Sequence, residues 1–230
     1  MRAAALHNEI KQEVKIPAGK VQLEGELFIP PGASGVVLFA HGSGSSRHSP
    51  RNQFVARVIR AGEIGTLLFD LLTREEESVD VYTRHLRFDI ELLAERLTDA
   101  TRWLKRDERT RDLRVGFFGA STGGGAALVA AAQLGFEAGA VVSRGGRPDL
   151  AGEFLPRVTA PTLLIVGERD ETVIEMNEGA YEKLNCEKRL KIVPHATHLF
   201  EEPGALEEVA RLATDWFRRH LTKAPDQETK

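Results

Sequence analysis

Three side chains that lie far apart in the sequence have the types needed for acyl transfer. Ser121 is in the segment GASTG, Asp170 in GERDETV and His198 in HATHLF. A serine hydroxyl is a weak nucleophile until a base removes its proton, and that base usually needs a carboxylate to orient it. The chain order serine, aspartate, histidine is the one used when a parallel sheet carries such a triad. We therefore predict Ser121 as the nucleophile, His198 as the base and Asp170 as the acid.

The surroundings of Ser121 favour a nucleophile on a sharp turn. It directly follows the apolar segment 113–119 and directly precedes a small-residue helix predicted over 122–134. A serine in such a connection must adopt a strained backbone conformation, and Gly119 and Gly123 let neighbouring backbone approach without Cβ clashes. Spacing alone also allows a small residue in a tight turn, because the chain contains 21 glycines. Because Asp170 and His198 provide the acid and base that a nucleophile needs, we favour Ser121 as a nucleophile over a small residue in a turn.

Each partner of the serine has a rival nearby. Glu168 and Glu171 compete with Asp170, although both could be solvated charges or residues at a helix N-terminus. Asp170 fits better, because a helix predicted from about 171 leaves it at the end of the preceding loop. His195 competes with His198, and we expect His195 to be a loop residue that hydrogen-bonds to the backbone.

A glycine-rich loop, HGSGSSRHSPRN, follows the apolar segment 35–40 and could stabilise the charge that acyl transfer generates. Backbone N–H groups held ready for an oxyanion are usually the largest catalytic contribution, at about 2.7–4 kcal/mol for one donor. We assign the two donors to the backbone of Ser43 and Thr122, with Gly44 as a substitute for the first and a candidate substrate contact. His41 opens this loop, and we expect its ring to bond to neighbouring backbone rather than to act as a second base.

Four arginines could give the site a positive charge. Arg47 and Arg51 are in the glycine-rich loop with His48, and Arg144 and Arg147 are in SRGGRPD after another apolar segment. If several converge, bidentate guanidinium contacts would favour an anionic or carboxylate-bearing substrate. We therefore take Arg47 and Arg144 as candidate substrate-binding residues. The alternative is that these arginines pair with acidic side chains, namely Asp149, Glu75, Glu76 and Glu77.

The segments between the motifs predict the elements that would position them. Apolar runs typical of strands buried on both faces cover 35–40, 66–71, 113–119, 138–143, 161–167 and 189–194. Helical periodicity covers 51–62, 83–106, 122–134, 171–184 and 204–221. The alternation predicts an α/β fold with a doubly wound, mostly parallel sheet, preceded by an antiparallel hairpin at 12–17 and 21–30. Ligands bind outside the carboxyl ends of such strands, where the acidic stretch 74–78 is predicted as a solvated loop.

Composition limits the class of protein. With 230 residues, 42% hydrophobic and 28% charged, the chain should fold as one domain over 1–230. A net charge of -3 gives no reason to expect nucleic acid or an anionic membrane as a partner. The single cysteine, Cys186, excludes an intramolecular disulfide and a cysteine-based zinc site. We expect it to pack as a small apolar residue.

Several motifs are absent from the sequence. It has no Walker A loop, no dinucleotide-binding glycine fingerprint and no His-Glu-x-x-His motif, so we expect neither a cofactor nor a metal. Charge interrupts the N-terminal segment before a signal-peptide core could form, and no run approaches about 18 apolar residues. These two features predict a cytoplasmic location. The polar tail 223–230 should fray.

Four motifs together resemble the α/β-hydrolase fold and, within it, the compact dienelactone hydrolase-like enzymes. They are HGSGSS, GASTG, GERDETV and HATHLF, each after a predicted strand, and the resemblance runs from Val21 to Leu221. It implies an enzyme without a cap domain, because residues 144–160, which separate the sixth strand from the next, are too few to form one. Dienelactone hydrolases proper use a cysteine nucleophile, whereas Ser121 is at the turn here and Cys186 falls near the end of a predicted helix. Ordinary ester hydrolysis is therefore favoured over hydrolysis of dienelactone.

The residues and the resemblance lead to one expected function and three rivals with the same triad. We expect a cofactor-independent serine hydrolase that cleaves a small carboxylic ester or lactone through an acyl-enzyme, as a monomer or homodimer. A thioesterase, a peptidase or an acyltransferase would use the same three residues. A catalytically idle scaffold used for binding would lack a triad member, and none is missing from the sequence.

Overall fold

The computed structural model describes residues 8–222 of the chain. In that range the strands are β1 (Ile10–Ala18), β2 (Val21–Ile29), β3 (Gly35–Ala40), β4 (Gly65–Phe69), β5 (Arg114–Ala120), β6 (Ala138–Arg144), β7 (Thr162–Gly167) and β8 (Lys188–Val193). The α-helices are α1 (Pro50–Ala61), α2 (Arg74–Thr83), α3 (Ile90–Arg106), α4 (Thr122–Leu134), α5 (Glu171–Lys183) and α6 (Ala205–Leu221). The tail 223–230 lies outside the described residues, and a single domain over 1–230 stays a prediction.

The strands form one sheet in the order β1-β2-β4-β3-β5-β6-β7-β8. β3 to β8 run parallel to one another, whereas β2 pairs antiparallel with both β1 and β4. The mostly parallel sheet and the antiparallel hairpin at its edge are therefore confirmed. Because β3 to β8 point the same way, the loops that carry the predicted site residues leave the sheet at one shared edge.

Helices cover both faces of this sheet. On one face, Leu97 of α3, Leu128 of α4 and Ala180 of α5 join buried strand residues in one hydrophobic cluster. On the other face, Ile59 of α1 and Phe217 of α6 do the same. Every residue of β3 and of β7 is buried. This double cover explains why the strands are apolar on both alternating faces.

One predicted helix is wrong, because residues 83–106 form parts of two helices rather than one. The acidic stretch 74–78, predicted as a loop, is the first part of α2. A capping box begins α2: the Thr73 hydroxyl accepts the N–H of Glu76 at 3.1 Å, and the Glu76 carboxylate accepts the N–H of Thr73 at 2.8 Å. Arg84, in the left-handed conformation with φ of 54°, ends the helix.

A buried carboxylate holds the turn between α2 and α3. Asp80, 1% exposed, accepts the Leu86 backbone N–H at 2.7 Å and also bonds to the Arg87 guanidinium. All three residues thereby keep α2 beside the loop that follows β3, where α2 lines a cavity.

The other predicted elements begin and end within two residues of the observed ones. Between β6 and β7 the chain forms only a short 3-10 segment, Pro148–Arg157. A cap domain is therefore absent at this position, in agreement with the sequence.

Replacing Thr73 by Ala should lower the free energy of unfolding by about 1 kcal/mol, because the first turn of α2 loses its cap. Chemical denaturation of the purified protein measures this change. Thr83→Ala is the matched control, since the exposed Thr83 hydroxyl bonds only to the Val79 carbonyl oxygen at 3.4 Å. A loss at Thr73 no larger than at Thr83 would contradict the role of the capping box.

Candidate active site

Ser121 forms the whole connection between β5 and α4. Its φ of 51° and ψ of -123° lie where residues other than glycine are rarely found. Backbone hydrogen bonds hold this turn: the Ser121 N–H donates to the Arg144 carbonyl at 3.3 Å, and the Ser121 carbonyl accepts from Gly124 at 2.9 Å and Arg147 at 3.0 Å. The serine is thus on a strained turn at the carboxyl edge of the sheet, as the sequence predicts.

Close backbone contacts require the two glycines beside Ser121. A Cβ atom on Gly119 would lie 2.6 Å from the Cα atom of Gly124. A Cβ atom on Gly123 would overlap the carbonyl oxygen of Ala40 at the end of β3. Only glycine lets α4 pack this closely against the strand ends, which confirms the reason given for the two glycines.

A hydrogen bond joins the predicted base and acid. Asp170 ends the loop after β7, His198 is in the loop after β8, and His198 Nδ1 lies 2.6 Å from Asp170 Oδ2. Beside an ionised carboxylate the proton belongs on Nδ1, which leaves Nε2 of the neutral ring as an acceptor. The rivals lie elsewhere: the His195 N–H donates to Glu168 Oε2 at 2.7 Å, and Glu171 is the first residue of α5.

Ser121 and His198 line the same cavity, which has a volume of about 250 Å³. The His198 side chain is 39% exposed and the Asp170 side chain 16%, so the imidazole is accessible while its carboxylate partner is shielded. Among residues 8–222, no side chain or backbone group hydrogen-bonds to the Ser121 hydroxyl. Bonds between a nucleophile and its base are often long until substrate binds.

Side chains tie the loop after β3 to its neighbours. His41 is buried, with Nδ1 3.0 Å from the Gly42 carbonyl oxygen and Nε2 accepting the Leu71 N–H at 3.0 Å. Burial lowers the pKa of this imidazole, and its bonds to backbone are those predicted for it. The Ser43 N–H donates to Thr122 Oγ1 at 3.0 Å. The Thr122 N–H is in the first turn of α4, where backbone N–H groups lack partners inside the helix.

Two carboxylates hold Arg47 outside the candidate site. Its guanidinium bonds to Asp70 and, at 2.9 Å, to Glu24, and Arg47 lines neither of the two cavities near Ser121. A guanidinium that two carboxylates already hold, outside both cavities, has little to offer a substrate anion. Of the predicted contacts in this loop, Gly44 does line a cavity.

The two arginines that follow one another after β6 differ in their partners. Arg147 pairs with Asp149 at 2.7 Å, which is the alternative that the sequence leaves open. Arg144 is buried and lines the cavity that contains Ser121, and its guanidinium donates no hydrogen bond to any residue in the range 8–222. Of the two residues predicted to bind substrate through a guanidinium, only Arg144 therefore lies beside the candidate nucleophile.

A larger cavity of about 600 Å³ adjoins the smaller one along the loop after β3. The residues that line both cavities are Gly42, Ser43, Ser45 and Ser49. α2 contributes Glu77, Asp80 and Val81 to the larger cavity. The sequence prediction lacks these three residues, although the spacing of Thr73 and Glu76 is the capping-box signal that would have revealed their helix.

Cys186 is remote from these cavities. It precedes β8 at the amino end of the strand, whereas Ser121 follows the carboxyl end of β5. The side chain is partly buried against the core, and burial raises the pKa of its thiol. Cys186 packs as the sequence predicts and does not lie at the turn where a cysteine nucleophile would be needed.

In the range 8–222, His, Cys, Asp and Glu side chains form no group of three or more that could hold a metal ion. Within the same range, no helix combines the length and the apolar character needed to cross a bilayer.

The model of the dienelactone hydrolase family matches residues 23–222. The chain belongs to this family. A crystal structure of a dienelactone hydrolase from Anabaena variabilis is 61% identical, with a TM-score of 0.92 over 94% of this chain and 100% of that one. An esterase of Pyrococcus furiosus, 19% identical, has the same fold, with a TM-score of 0.74 over 93% of this chain and 94% of its own. The predicted α/β-hydrolase fold without a cap domain is confirmed.

Two proteins from strains of Mycobacterium tuberculosis are 58% identical to this chain over 210 residues. Both carry a provisional name, phosphoribosyl transferase. The match covers 91% of this chain and 46% of each relative, so the chain spans about half the length of these curated relatives. The name therefore describes proteins about twice as long as the matched region.

Replacing Gly123 by Ala should lower the free energy of unfolding by at least about 1–3 kcal/mol, because the added methyl group overlaps the end of β3. Gly179→Ala is the control: Gly179 is exposed in α5, and a Cβ atom there would meet nothing within 4 Å. That change should instead stabilise by roughly 0.5–1 kcal/mol through helix propensity. Equal effects of the two substitutions in chemical denaturation would contradict the close contact at the turn.

Proposed function

We propose that the chain is a serine hydrolase that cleaves small carboxylic esters or lactones through an acyl-enzyme. The observation that carries this proposal is the 2.6 Å hydrogen bond from His198 to Asp170, beside a cavity lined by both His198 and Ser121. The strained turn at Ser121 adds support, since hydrolases of this fold carry their nucleophile on such a turn. Membership of the dienelactone hydrolase family supports hydrolysis as the general reaction.

In the proposed reaction, His198 Nε2 takes the proton of the Ser121 hydroxyl while Oγ attacks the carbonyl carbon of the ester. Asp170 orients the imidazole and stabilises its cation. The tetrahedral intermediate then breaks its bond to the alcohol oxygen, and the alcohol leaves with the proton from His198. Water, deprotonated by the same nitrogen, attacks the acyl-enzyme, and the Ser121 oxygen leaves with that proton as the acid is released.

The oxyanion of each intermediate would bind to the backbone N–H groups of Thr122 and Ser43. One donor aimed at such a charge contributes about 2.7–4 kcal/mol to catalysis. Because the Ser43 N–H donates to the Thr122 hydroxyl in the free protein, it must share or exchange this acceptor when the oxyanion forms. Gly44 supplies the next N–H along the loop and is the alternative donor.

Other reactions of the same triad differ only in the bond or the acceptor. Cleavage of a thioester or a peptide bond, and acyl transfer to an alcohol, would need no further residue. Measuring kcat/KM on a panel of such substrates would rank these activities. A serine nucleophile in place of cysteine favours ordinary esters over dienelactone. A cytoplasmic location, a monomeric or homodimeric state and the absence of a nucleic-acid partner stay predictions.

Phosphoribosyl transfer, the activity in the name of the longer relatives, is not part of this proposal. The hydrolase family model covers residues 23–222, which is nearly all of the region shared with those relatives. We assign hydrolysis to this region, and any transferase activity to the part of the relatives that has no match here.

The nucleophile can be identified by covalent labelling with a fluorophosphonate, which reacts with an activated serine. Intact-mass spectrometry should find a single adduct on the wild-type chain and none on Ser121→Ala, because the reacting hydroxyl is gone. Cys186→Ala should be labelled at the wild-type rate, since its thiol is partly buried at the other edge of the sheet. Labelling that persists in folded Ser121→Ala would refute the assignment.

The acid can be identified by comparing two neighbouring carboxylates. Asp170→Asn should lower kcat/KM for an activated ester by about 10⁴-fold, because an amide no longer holds the His198 tautomer that accepts a proton. Glu168→Gln removes the exposed pair with His195 and should change kcat/KM by no more than about fivefold. Steady-state kinetics on both variants decides the assignment, and equal losses would contradict the role given to Asp170.

A further inference from the structure

Arg144 is a buried charge without a partner. The residue is 7% exposed, its Nε is enclosed without a hydrogen bond, and no carboxylate or carbonyl group in the range 8–222 accepts a bond from its guanidinium. Its one notable contact is the ring of Phe200, whose centroid lies 5.7 Å from the guanidinium carbon. A buried unpaired charge is unfavourable in a folded protein, so this arginine needs an explanation other than stability.

The neighbouring arginines, unlike Arg144, have carboxylate partners. Arg47 has two carboxylate partners, and Arg147 pairs with Asp149 at 2.7 Å. The guanidinium of Arg144 is left facing the cavity it lines together with Ser121 and His198. The sheet register places it there: Ala120, the residue before Ser121, pairs with Arg144 across β5 and β6.

A second guanidinium lines the same cavity. Arg51, from the first turn of α1, pairs with Glu201 at 3.0 Å while its Nε is enclosed without a hydrogen bond. Burial, and to a lesser extent the like charge of Arg51, lower the pKa of Arg144 to about 10, so the Arg144 guanidinium is still protonated at neutral pH. Glu201 offsets part of the Arg51 charge, and the positive charge that remains beside the cavity attracts an anion.

The rest of the cavity lining is neutral or can donate hydrogen bonds. Asn52 is buried there. Its Oδ1 accepts no hydrogen bond from residues 8–222 and gives no attraction to an anion, whereas its Nδ2 group can donate a hydrogen bond to one. No aspartate or glutamate among the described residues lines the smaller cavity, whereas Glu77 and Asp80 line the larger one. The larger cavity also contains Arg87, but its guanidinium is paired with Asp80. The smaller cavity is therefore the one that favours an anion, because Arg144 has no carboxylate partner there.

We propose that the smaller cavity binds a phosphate monoester group of the substrate, held by Arg144 and Arg51 next to the acyl carbon that Ser121 attacks. This inference rests on the proposed ester hydrolysis. A phosphate monoester carries about -1.5 to -2 charge and three acceptor oxygens, which suits two guanidinium groups and an amide. A carboxylate has one charge and two oxygens, which a single bidentate guanidinium satisfies. The uncharged remainder of the substrate then extends into the larger cavity.

The test uses acetate esters of ethylene glycol monophosphate, of β-hydroxypropionate and of ethylene glycol monomethyl ether, which differ mainly in the terminal group. A second series carries the same three groups on the acyl side. In at least one series the wild-type kcat/KM should be about 10- to 100-fold higher for the phosphate than for the neutral ester, as expected for hydrogen bonds to a charged group. A preference for the carboxylate ester would overturn the choice of phosphate.

Two variants and a control assign this preference to residues. Arg144→Gln should lower kcat/KM for the phosphate ester much more than for the neutral ester, which removes most of the preference. Arg51→Gln should reduce the preference less, because Arg51 already has a partner. Arg211→Gln on α6, whose guanidinium bonds to Glu208 and Asp215, should behave as wild type. Arg144→Gln should be at least as resistant to denaturant as the wild type, because it loses an unpaired buried charge. Lower stability with unchanged substrate preference would mean that Arg144 is structural, which overturns the inference.

Binding of inorganic phosphate, measured by calorimetry, separates this inference from the proposed reaction. Phosphate binding should persist in Ser121→Ala and Arg211→Gln and be lost in Arg144→Gln. If Arg144→Gln does not fold, Arg144→Lys replaces it and should bind phosphate more weakly than the wild type. Phosphate binding that depends on Arg144, in a chain that hydrolyses none of the esters, would support the anion site and remove the proposed reaction. Equal hydrolysis of all esters without Arg144-dependent phosphate binding would overturn the inference and leave the reaction intact.

Discussion

The backbone turn at Ser121 is the constraint on which the rest of the site depends. One residue connects a strand to a helix, at φ of 51°, and this strain persists only because the packing around it leaves no other path. Gly119 and Gly123 supply the space, and the paired strand β6 supplies the acceptor for the Ser121 N–H. The same pairing carries Arg144 to the turn. A hydroxyl and an unpaired guanidinium therefore lie beside one cavity as a direct consequence of strand register.

Charge is distributed around the site in separate pairs. Asp170 orients His198, while Glu168 engages His195 outside the cavity. Acidic side chains are confined to the larger cavity, and the smaller one has only cationic, hydroxyl, amide, imidazole and apolar groups. In the proposed complex this arrangement would orient the substrate, with its anionic end near the candidate nucleophile and its neutral end beneath α2. The proposed hydrolysis and the proposed phosphate preference thus follow from different features and can fail separately.

Much of the fold follows from the sequence because strands covered on both faces must be apolar throughout, and every residue of β3 and β7 is buried. The region 74–89 was predicted wrongly because its helix is mostly polar, and its beginning depends on a cap at Thr73 rather than on an apolar stripe. The partners of the arginines could not be predicted either. Arg47 pairs with Glu24 and Asp70, each 23 residues away, through the pairing of β2 with β4. The Arg144 guanidinium has no hydrogen-bond partner among residues 8–222. The carboxylate that pairs with each arginine depends on which loops lie close together at the edge of the sheet. The spacing of residues along the chain does not predict this.

In the proposed hydrolysis, an acyl group is transferred from the ester to the oxygen of Ser121. Rapid acid quenching of the wild-type chain with an activated ester, followed by tandem mass spectrometry of its peptides, tests this most directly. If Ser121 is the nucleophile, the quenched chain carries a mass increase of one acyl group on Ser121, and this increase disappears as the ester is consumed. Steady hydrolysis of the ester with the acyl group on another residue, or with no covalent intermediate in the quenched samples, would contradict this proposal.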